Sequence, residues 1–249
     1  MDTLSGEQLL LVAAIVLGGA LVFCTVGFGI VVASFPLLFL LLDPQTAVVV
    51  VNTVSLLMFS LVIWQTRQHI PARQVLPIAA AGIVGVPVGI FILKDADTAF
   101  LRISIAGLII ALTLLAAFNT RWALPKSTPV GLCAGFVVSV LLNAFGVGGA
   151  LMVLAWMSHR MTSHALRGSL SLYFLAVEGA GVIGYGAAGL LTQERLLLIG
   201  VAALPVVMGW GLALLILRRI NEVMFRRLVV GAIITTSMMV LVREAFSLL

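Results

Sequence analysis

Apolar residues run along this chain in long blocks, and short polar intervals separate one block from the next. The hydrocarbon core of a bilayer requires about 20 apolar residues per helix, so blocks of this length predict membrane-spanning helices. Six clear spans are predicted, at 45–65, 75–93, 99–118, 164–189, 196–217 and 223–242. Two further apolar stretches, 9–42 and 129–157, are too long for one straight helix each. The first runs for 34 residues without a charge, which would extend about 51 Å as a helix.

Glycines interrupt both long stretches near their middle. They are Gly27 and Gly29, on either side of Phe28, in the first stretch, and Gly146, Gly148 and Gly149 in the second. Glycine allows the backbone to leave helical geometry. At membrane depth, a non-helical backbone is tolerated only where it is buried in protein or lines a cavity. Each long stretch is therefore predicted to be a broken helix or a helical hairpin.

The two halves of the chain align weakly with each other on either side of the polar interval 119–129. The aligned pairs are Gly27 with Gly146 and Gly29 with Gly148 at an offset of 119, then Gly85 with Gly209, Leu93 with Leu217, Lys94 with Arg218 and Arg102 with Arg226 at an offset of 124. Similarity at a fixed spacing is typical of an internal repeat. We predict a first repeat at 1–120, a connecting loop at 121–128 and a second repeat at 129–249.

The composition agrees with a membrane protein and excludes most other classes. The chain is 62% apolar and 9% charged, whereas a soluble domain is about half apolar and a quarter charged. The sequence pI is near 10.0, but the basic excess is only 14 − 9 = +5 and is scattered through short loops, which argues against a nucleic-acid partner. Cys24 and Cys133 lie in apolar stretches without a CxxC pair, so neither a disulfide framework nor a metal site is expected.

Basic residues favour an arrangement in which both glycine-broken stretches turn back. If each stretch crosses once, the Lys and Arg residues divide six against eight, which orients nothing. If each stretch returns to its own side, four Lys and Arg residues lie on one side of the membrane and ten on the other. The ten are Arg67, Arg73, Arg121, Lys126, Arg160, Arg167, Arg218, Arg219, Arg226 and Arg227. The positive-inside rule prefers the second arrangement, with both termini outside. Each repeat is then a hairpin plus three transmembrane helices, the second repeat is inverted relative to the first, and the all-α fold has roughly eight to ten membrane segments.

Three segments resemble the glycine-rich signatures of a known family. They are Gly27-Phe-Gly-Ile-Val-Val-Ala-Ser-Phe-Pro36 in the first half, and Asn143-Ala-Phe-Gly-Val-Gly-Gly149 followed by Ala165-Leu-Arg-Gly-Ser169 in the second. These segments are similar to those of the sulfite exporter TauE/SafE family of bacterial membrane permeases. The first half departs from the pattern at Ile30, where a further glycine is usual. The resemblance implies transport of sulfur oxyanions or organosulfonates, usually outward, across the bacterial inner membrane.

Physical chemistry supports an anion at the same glycines. A helix that starts inside the membrane points unpaired N–H groups and a partial positive charge at whatever precedes it. Glycines let an oxyanion approach those N–H groups closely. The segments after Gly29 and Gly149 would supply one such N-terminus per repeat. The alternative is that these glycines allow close helix packing, as small residues do in membranes.

A few polar residues within the spans are candidate anion ligands, since each is costly at membrane depth. They are Asn52 and Thr53 in the first half, and Asn143, Ser169 and Ser171 in the second. Amides and hydroxyls donate hydrogen bonds without adding charge. The alternative for a hydroxyl is a bond to its own helix backbone. Arg167 is expected to attract the anion at the cytoplasmic mouth, or else to act as a positive-inside anchor.

Glu178 is the one acid deep in an apolar span. It is a candidate proton carrier for coupling, a partner in a structural ion pair, or an ordinary cavity-facing residue. Export of an anion from a cell that is negative inside is electrically downhill by about 2.3 kcal/mol per charge per 100 mV. Export therefore needs no coupling ion, whereas import would need a proton or sodium.

These observations favour a secondary carrier that releases a small sulfur-containing anion by alternating access. No Walker A, HExxH, GxSxG or Cys–His zinc spacing occurs, so neither ATP hydrolysis nor a cofactor is expected. The alternatives are an intramembrane redox or enzymatic protein, an anion channel, and a scaffold for another membrane complex.

Overall fold

The computed structural model describes residues 6–26, 34–35, 37–117, 128–157 and 162–216, and the regular secondary structure in these ranges is helical. The helices are α1 Gly6–Val26, α2 Pro44–Thr66, α3 Ala72–Asp95, α4 Thr98–Ala117, α5 Thr128–Phe145, α6 Gly149–Met157, α7 Ser163–Ala187 and α8 Gln193–Ile216. One 3₁₀ turn, Arg67–His69, follows α2. The protein is thus all-helical over the part of the chain that the structure describes.

Five of the six predicted spans fall on one helix each, namely α2, α3, α4, α7 and α8. Four stretches are long and apolar enough to cross a bilayer: Pro44–His69, Ala72–Asp95, His164–Ala187 and Gln193–Ala213. Among the described side chains, α1, α4 and α5 contribute further apolar helix at Gly6–Leu21, Thr98–Ala111 and Pro129–Phe145. The sixth span, 223–242, lies outside the described residues, as do Gly27, Phe28 and Gly29.

Side-chain caps fix where the two central helices begin. Asp43 precedes α2, and its carboxylate accepts a hydrogen bond from the backbone N–H of Thr46 at 2.8 Å. Thr162 precedes α7, and its hydroxyl accepts one from the N–H of Ala165 at 3.3 Å. Each cap satisfies a first-turn donor that would otherwise be unpaired. Gly189, with a φ of 74°, follows the end of α7 and allows the chain to turn toward α8.

Helices α2 and α7 form an antiparallel pair at the centre of the described structure. The first packs against α8 and the second against α3, while α3 also packs on α5 and α8 on α1. Glycine permits the closest of these approaches. A methyl group added at Gly85 of α3 would lie 2.8 Å from the carbonyl oxygen of Phe136 in α5, and one at Gly209 of α8 would lie 2.7 Å from Cβ of Ala20 in α1.

The glycines between α5 and α6 reverse the chain. Gly146 has a φ of 69°, a left-handed conformation that favours glycine. Helices α5 and α7 run parallel, because Tyr173 donates a hydrogen bond to the carbonyl of Gly135, and Tyr185, twelve residues later in α7, donates one to that of Asn143. The short helix α6 returns between them, placing the ring of Trp156 6.2 Å from that of Tyr173.

In the first half, the described residues that follow the glycines lie back against α1. The hydroxyl of Ser34 donates to the carbonyl oxygen of Ile15, near the middle of α1, at 3.4 Å. Helical turns follow, with bonds from the N–H of Phe39 to Phe35 and of Leu42 to Leu38. This segment then leads directly into the cap of α2.

Candidate functional site

Three buried polar side chains meet beside the glycine break of the second half. The amide nitrogen of Asn52 in α2 donates to the carbonyl of Leu142 and to the hydroxyl of Tyr185, both at 3.0 Å. The Tyr185 hydroxyl donates in turn to the backbone carbonyl of Asn143 at 3.3 Å. We call Asn52, Asn143 and Tyr185 the break cluster. It joins α2, α5 and α7 at the point where α5 ends.

Asn143 is enclosed on two sides. Its side-chain nitrogen donates to the carbonyl oxygen of Ser139 at 3.0 Å, one turn earlier in α5. A methyl group at Gly181 of α7 would collide with the side-chain oxygen of Asn143, and one at Gly89 of α3 would lie 2.7 Å from its Cβ. The asparagine therefore occupies a space that two glycines leave open.

The helix that follows the break begins directly beside this cluster. The first α-helical bond of α6 runs from the N–H of Met152 to the carbonyl of Gly148 at 3.2 Å. The N–H groups of its first turn consequently have no partner within the helix. A methyl group at Gly148 would lie 3.0 Å from the carbonyl oxygen of Val138 and from Cγ of Leu142. Close packing therefore accounts for glycine at 148, and the positive φ accounts for glycine at 146.

Thr53 lies next to Asn52 but uses its hydroxyl locally. That hydroxyl donates to the carbonyl of Val49 in the same helix at 2.6 Å, as Ser55 does to Val51 at 2.7 Å. Both residues follow the alternative expected for hydroxyls in a helix. Thr53 is therefore not joined to the break cluster by any described hydrogen bond.

The predicted residues at the beginning of α7 form a separate group. Arg167, Ser169 and Ser171, which we call the α7 start group, lie near the end of α2, since Gly168 is packed against Thr66 and Ile70. Both serines are buried. Sixteen residues of helix, or about 24 Å, separate Ser169 from Tyr185. The structure thus divides the predicted ligands between two places.

Several atoms of these residues are buried without a hydrogen-bond partner in the described part of the chain. They are Oδ1 of Asn52, Nε of Arg167, Oγ of Ser169, Oγ of Ser171 and Oε2 of Glu178. A buried polar group without a partner costs about 1–3 kcal/mol. Clustered atoms of this kind are the places where a ligand or water would be stabilising.

Glu178 lies between the two groups on α7, and its side chain is 3% exposed. Within the described ranges the structure shows no ion pair for it. Arg167 is eleven residues earlier on the same helix, or about 16 Å away along the axis. The structural-pairing alternative for Glu178 therefore finds no support in these ranges.

A family model described as Sulfite exporter TauE/SafE matches residues 11–240. The chain belongs to this family. No curated protein and no solved structure shows a significant match to the chain. The resemblance inferred from the glycine-rich segments is thus confirmed. Together with the apolar helices, membership makes this chain a multi-pass membrane protein of a family of sulfur-anion transporters.

One residue of the candidate site, and one buried cation outside it, were not identified from the sequence. Tyr185 completes the break cluster, and the signal that could have singled it out is that the chain has only two tyrosines, both in the apolar span of α7. Arg195 looked like an ordinary loop base between spans. It is 9% exposed and donates to the hydroxyl of Thr46, to the side-chain oxygen of Gln45 and to the carbonyl of Leu190, at 2.7–2.9 Å.

Proposed function

We propose that this protein is a secondary transporter that exports a small sulfur-containing anion, sulfite or a sulfonate, by alternating access across the bacterial inner membrane. The observation that carries the proposal is the break cluster beside the N-terminus of α6. Asn143 brings a side-chain amide to this point, and the first turn of α6 brings backbone N–H groups. The hydroxyl of Tyr185 donates to Asn143 and so positions it. A sulfur oxyanion offers several acceptor oxygens to such donors.

Uncharged donors suit a carrier better than fixed cations would. A carrier must bind its substrate and then release it on the other side. Amides, hydroxyls and helix N-termini stabilise an anion through dipoles, each contributing modestly. We assign substrate contact to Asn52, Asn143, Gly146, Gly148, Gly149, Ser169 and Ser171, and the role of attracting charge to Arg167. For Gly27, Phe28, Gly29 and Thr53, the assignment of substrate contact rests only on the sequence of the first repeat.

An inverted repeat provides the movement, and the packing of the described helices supports it. Helix α3 contacts α5 and α7, and α8 contacts α1 and α2, so exchanging the two halves reproduces the same set of neighbours. Gly85 is packed against Phe136, Ser139 and Val140, and Gly209 against Leu17, Ala20 and Leu21. The two glycines are 124 residues apart in the sequence. Their contact residues correspond at a spacing of 119: Leu17 with Phe136, Ala20 with Ser139 and Leu21 with Val140.

The helix caps follow the same spacing. Asp43 and Thr162, which cap α2 and α7, are also 119 residues apart. We therefore divide the chain into repeats at 1–120 and 129–249 joined by 121–128, each with a hairpin and three spans. The excess of basic residues on the side of Arg67 and Arg73 favours a cytoplasmic position for that side, with both termini outside.

The membrane potential drives export in this scheme, since moving one negative charge outward gains about 2.3 kcal/mol per 100 mV. Glu178 is the candidate coupling residue. A carboxyl that exchanges a proton as the substrate moves would link the anion to a proton gradient, and sodium is the other candidate ion. The uncharged variant Glu178→Gln separates these roles from simple uniport.

Binding of sulfite to purified protein tests the site. We expect sulfite to raise the melting temperature of the wild type in detergent. Asn143→Ala should need a sulfite concentration at least about tenfold higher for the same rise, since about 1.4 kcal/mol of binding free energy is lost. Ser60→Ala is the matched control, because Ser60 is exposed and bonds to its own helix at Leu56. An equal sulfite response in Asn143→Ala and the wild type would remove Asn143 from the site.

A further inference from the structure

Five buried aromatic side chains form a continuous series across the middle of the protein. Phe23 of α1 contacts Phe59 of α2 with ring centroids 5.6 Å apart, and Phe59 contacts Phe174 of α7 at 5.4 Å. Tyr173 lies 5.4 Å from Phe174, and Trp156 of α6 lies 6.2 Å from Tyr173. We call Phe23, Phe59, Phe174, Tyr173 and Trp156 the aromatic layer. Each of the five is less than 5% exposed.

The aromatic layer lies between the two groups of polar residues. Because α2 and α7 are antiparallel, Asn52 meets Tyr185 on one side of the Phe59–Phe174 contact, and Thr66 meets Gly168 on the other. Glu178 is one turn beyond Phe174 toward the break cluster. Ser171 is one turn before Phe174, toward Arg167.

The polar residues on both sides share a helix face with the rings. On α7, positions 171, 174 and 178 are three and four residues apart, so their side chains follow one another along a single face. On α2, Ser55 and Phe59 have the same relation. A track of polar groups thus runs along the α2–α7 interface, and the two phenylalanines interrupt it.

Unpartnered buried atoms occur on each side of the interruption. Ser171 Oγ lies on the α7 start side, and Glu178 Oε2 and Asn52 Oδ1 lie on the side of the break cluster. Such atoms point to water on both sides, and the Ser171 hydroxyl can also donate to an anion. The contact between Phe59 and Phe174, in contrast, offers no side-chain hydrogen-bonding groups to an anion, which would have to shed its hydration to pass.

We propose that the aromatic layer is the gate of the transport pathway, and that Phe59 and Phe174 are the rings that must separate for the anion to move between the two polar groups. This proposal rests on the proposed transport function. Hydrophobic constrictions block ions by excluding water. The layer takes side chains from α1 and α2 of the first half and from α6 and α7 of the second, so a rocking movement between the halves would pull the Phe59–Phe174 contact apart.

Thiol labelling tests the gate without requiring the substrate. In a Cys24→Ser/Cys133→Ser background, Ser55→Cys and Ser171→Cys place one thiol on each side of the layer. A membrane-impermeant methanethiosulfonate reagent is applied to right-side-out and to inside-out vesicles. With the rings in place, each cysteine should react from one side only, and the two from opposite sides. In Phe59→Ala/Phe174→Ala, labelling from the opposite side should be about tenfold faster, as expected if the barrier falls by about 1.4 kcal/mol.

Phe91→Ala is the matched control, because Phe91 is 67% exposed on α3 and its removal should leave the sidedness unchanged. If the double variant does not fold, as judged by gel filtration, Phe59→Ala alone replaces it. The gate is overturned if both cysteines react equally from both sides with the rings present. It is also overturned if, after both rings are removed, each cysteine still reacts from one side only, or if neither cysteine reacts before or after their removal. Loss of sulfite binding with labelling as expected would instead count against the substrate and not against the gate.

Discussion

Arg195 illustrates what a single buried cation does in this membrane protein. Its guanidinium joins the beginning of α2, through Gln45 and Thr46, to the turn after α7, through the carbonyl of Leu190. Gln45 extends the connection by donating to the carbonyl of Leu93 in α3 at 3.0 Å. The carboxylate of Asp43 is 3.9 Å away and 37% exposed, so this ion pair contributes little. The hydrogen bonds carry the stabilisation.

Replacing Arg195 should therefore destabilise the protein. Arg195→Ala leaves Gln45, Thr46 and the Leu190 carbonyl without a donor, and we expect a loss on the order of 3 kcal/mol in the free energy of unfolding. Arg195→Lys should lose less, since an ammonium can reach one or two of the acceptors but not all three. Thermal unfolding in detergent measures both, with Arg73→Ala as the exposed control. Equal melting temperatures for Arg195→Ala and Arg73→Ala would contradict this role.

At the scale of the elements, the reversal between α5 and α6 depends on two glycines for different reasons. Gly146 supplies the positive φ at which α5 ends. Gly148 lets the beginning of α6 pack against α5 at Val138 and Leu142. A side chain at 148 would push α6 away from α5 and displace the N–H groups of its first turn.

We expect Gly148→Leu to lower the free energy of unfolding by roughly 1–3 kcal/mol through overpacking, and to abolish the sulfite-induced rise in melting temperature. Gly107→Leu is the control, because Gly107 in α4 is exposed and has nothing within 4 Å of the position of a Cβ. Its melting temperature should stay the same or rise slightly, since leucine favours a helix over glycine. A Gly148→Leu variant that retains the full sulfite response would remove the first turn of α6 from the site.

The hydrophobic pattern predicted the helices well and the site only in part. Apolar blocks locate five spans within three residues of their observed ends, because each helix must match the bilayer thickness. Glycine spacing located the break before α6. The pattern could not show that Asn52 and Asn143 meet at Tyr185 while Ser169 and Ser171 lie elsewhere, because those contacts depend on the direction in which α5, α6 and α7 run. Arg195 escaped notice because burial of a residue at a helix start leaves no trace in composition.

At the scale of the whole molecule, the two halves meet along the helix pairs α3–α5, α3–α7, α1–α8 and α2–α8, and at the centre along the α2–α7 interface. This interface carries the break cluster, Glu178, the aromatic layer and the α7 start group in that order. A transporter that alternates between two halves needs its binding groups and its barrier on the surface where the halves meet. Under the proposed mechanism, the order of these groups along the interface connects the family's transport function to individual residues of this chain.

Sulfite flux in reconstituted vesicles tests this account most directly. Vesicles that contain the wild type should release trapped sulfite faster than empty vesicles, and the rate should saturate with sulfite concentration and increase with a potential that drives anions outward. Asn143→Ala should reduce the flux at least about tenfold, because losing about 1.4 kcal/mol of substrate stabilisation raises the free-energy barrier to transport by that amount. Ser60→Ala should leave the flux unchanged. If Glu178 couples protons, Glu178→Gln should abolish the response of the flux to a pH gradient while leaving its response to the potential. Wild-type vesicles that release sulfite no faster than empty ones, over the whole range of potentials, would contradict the central claim.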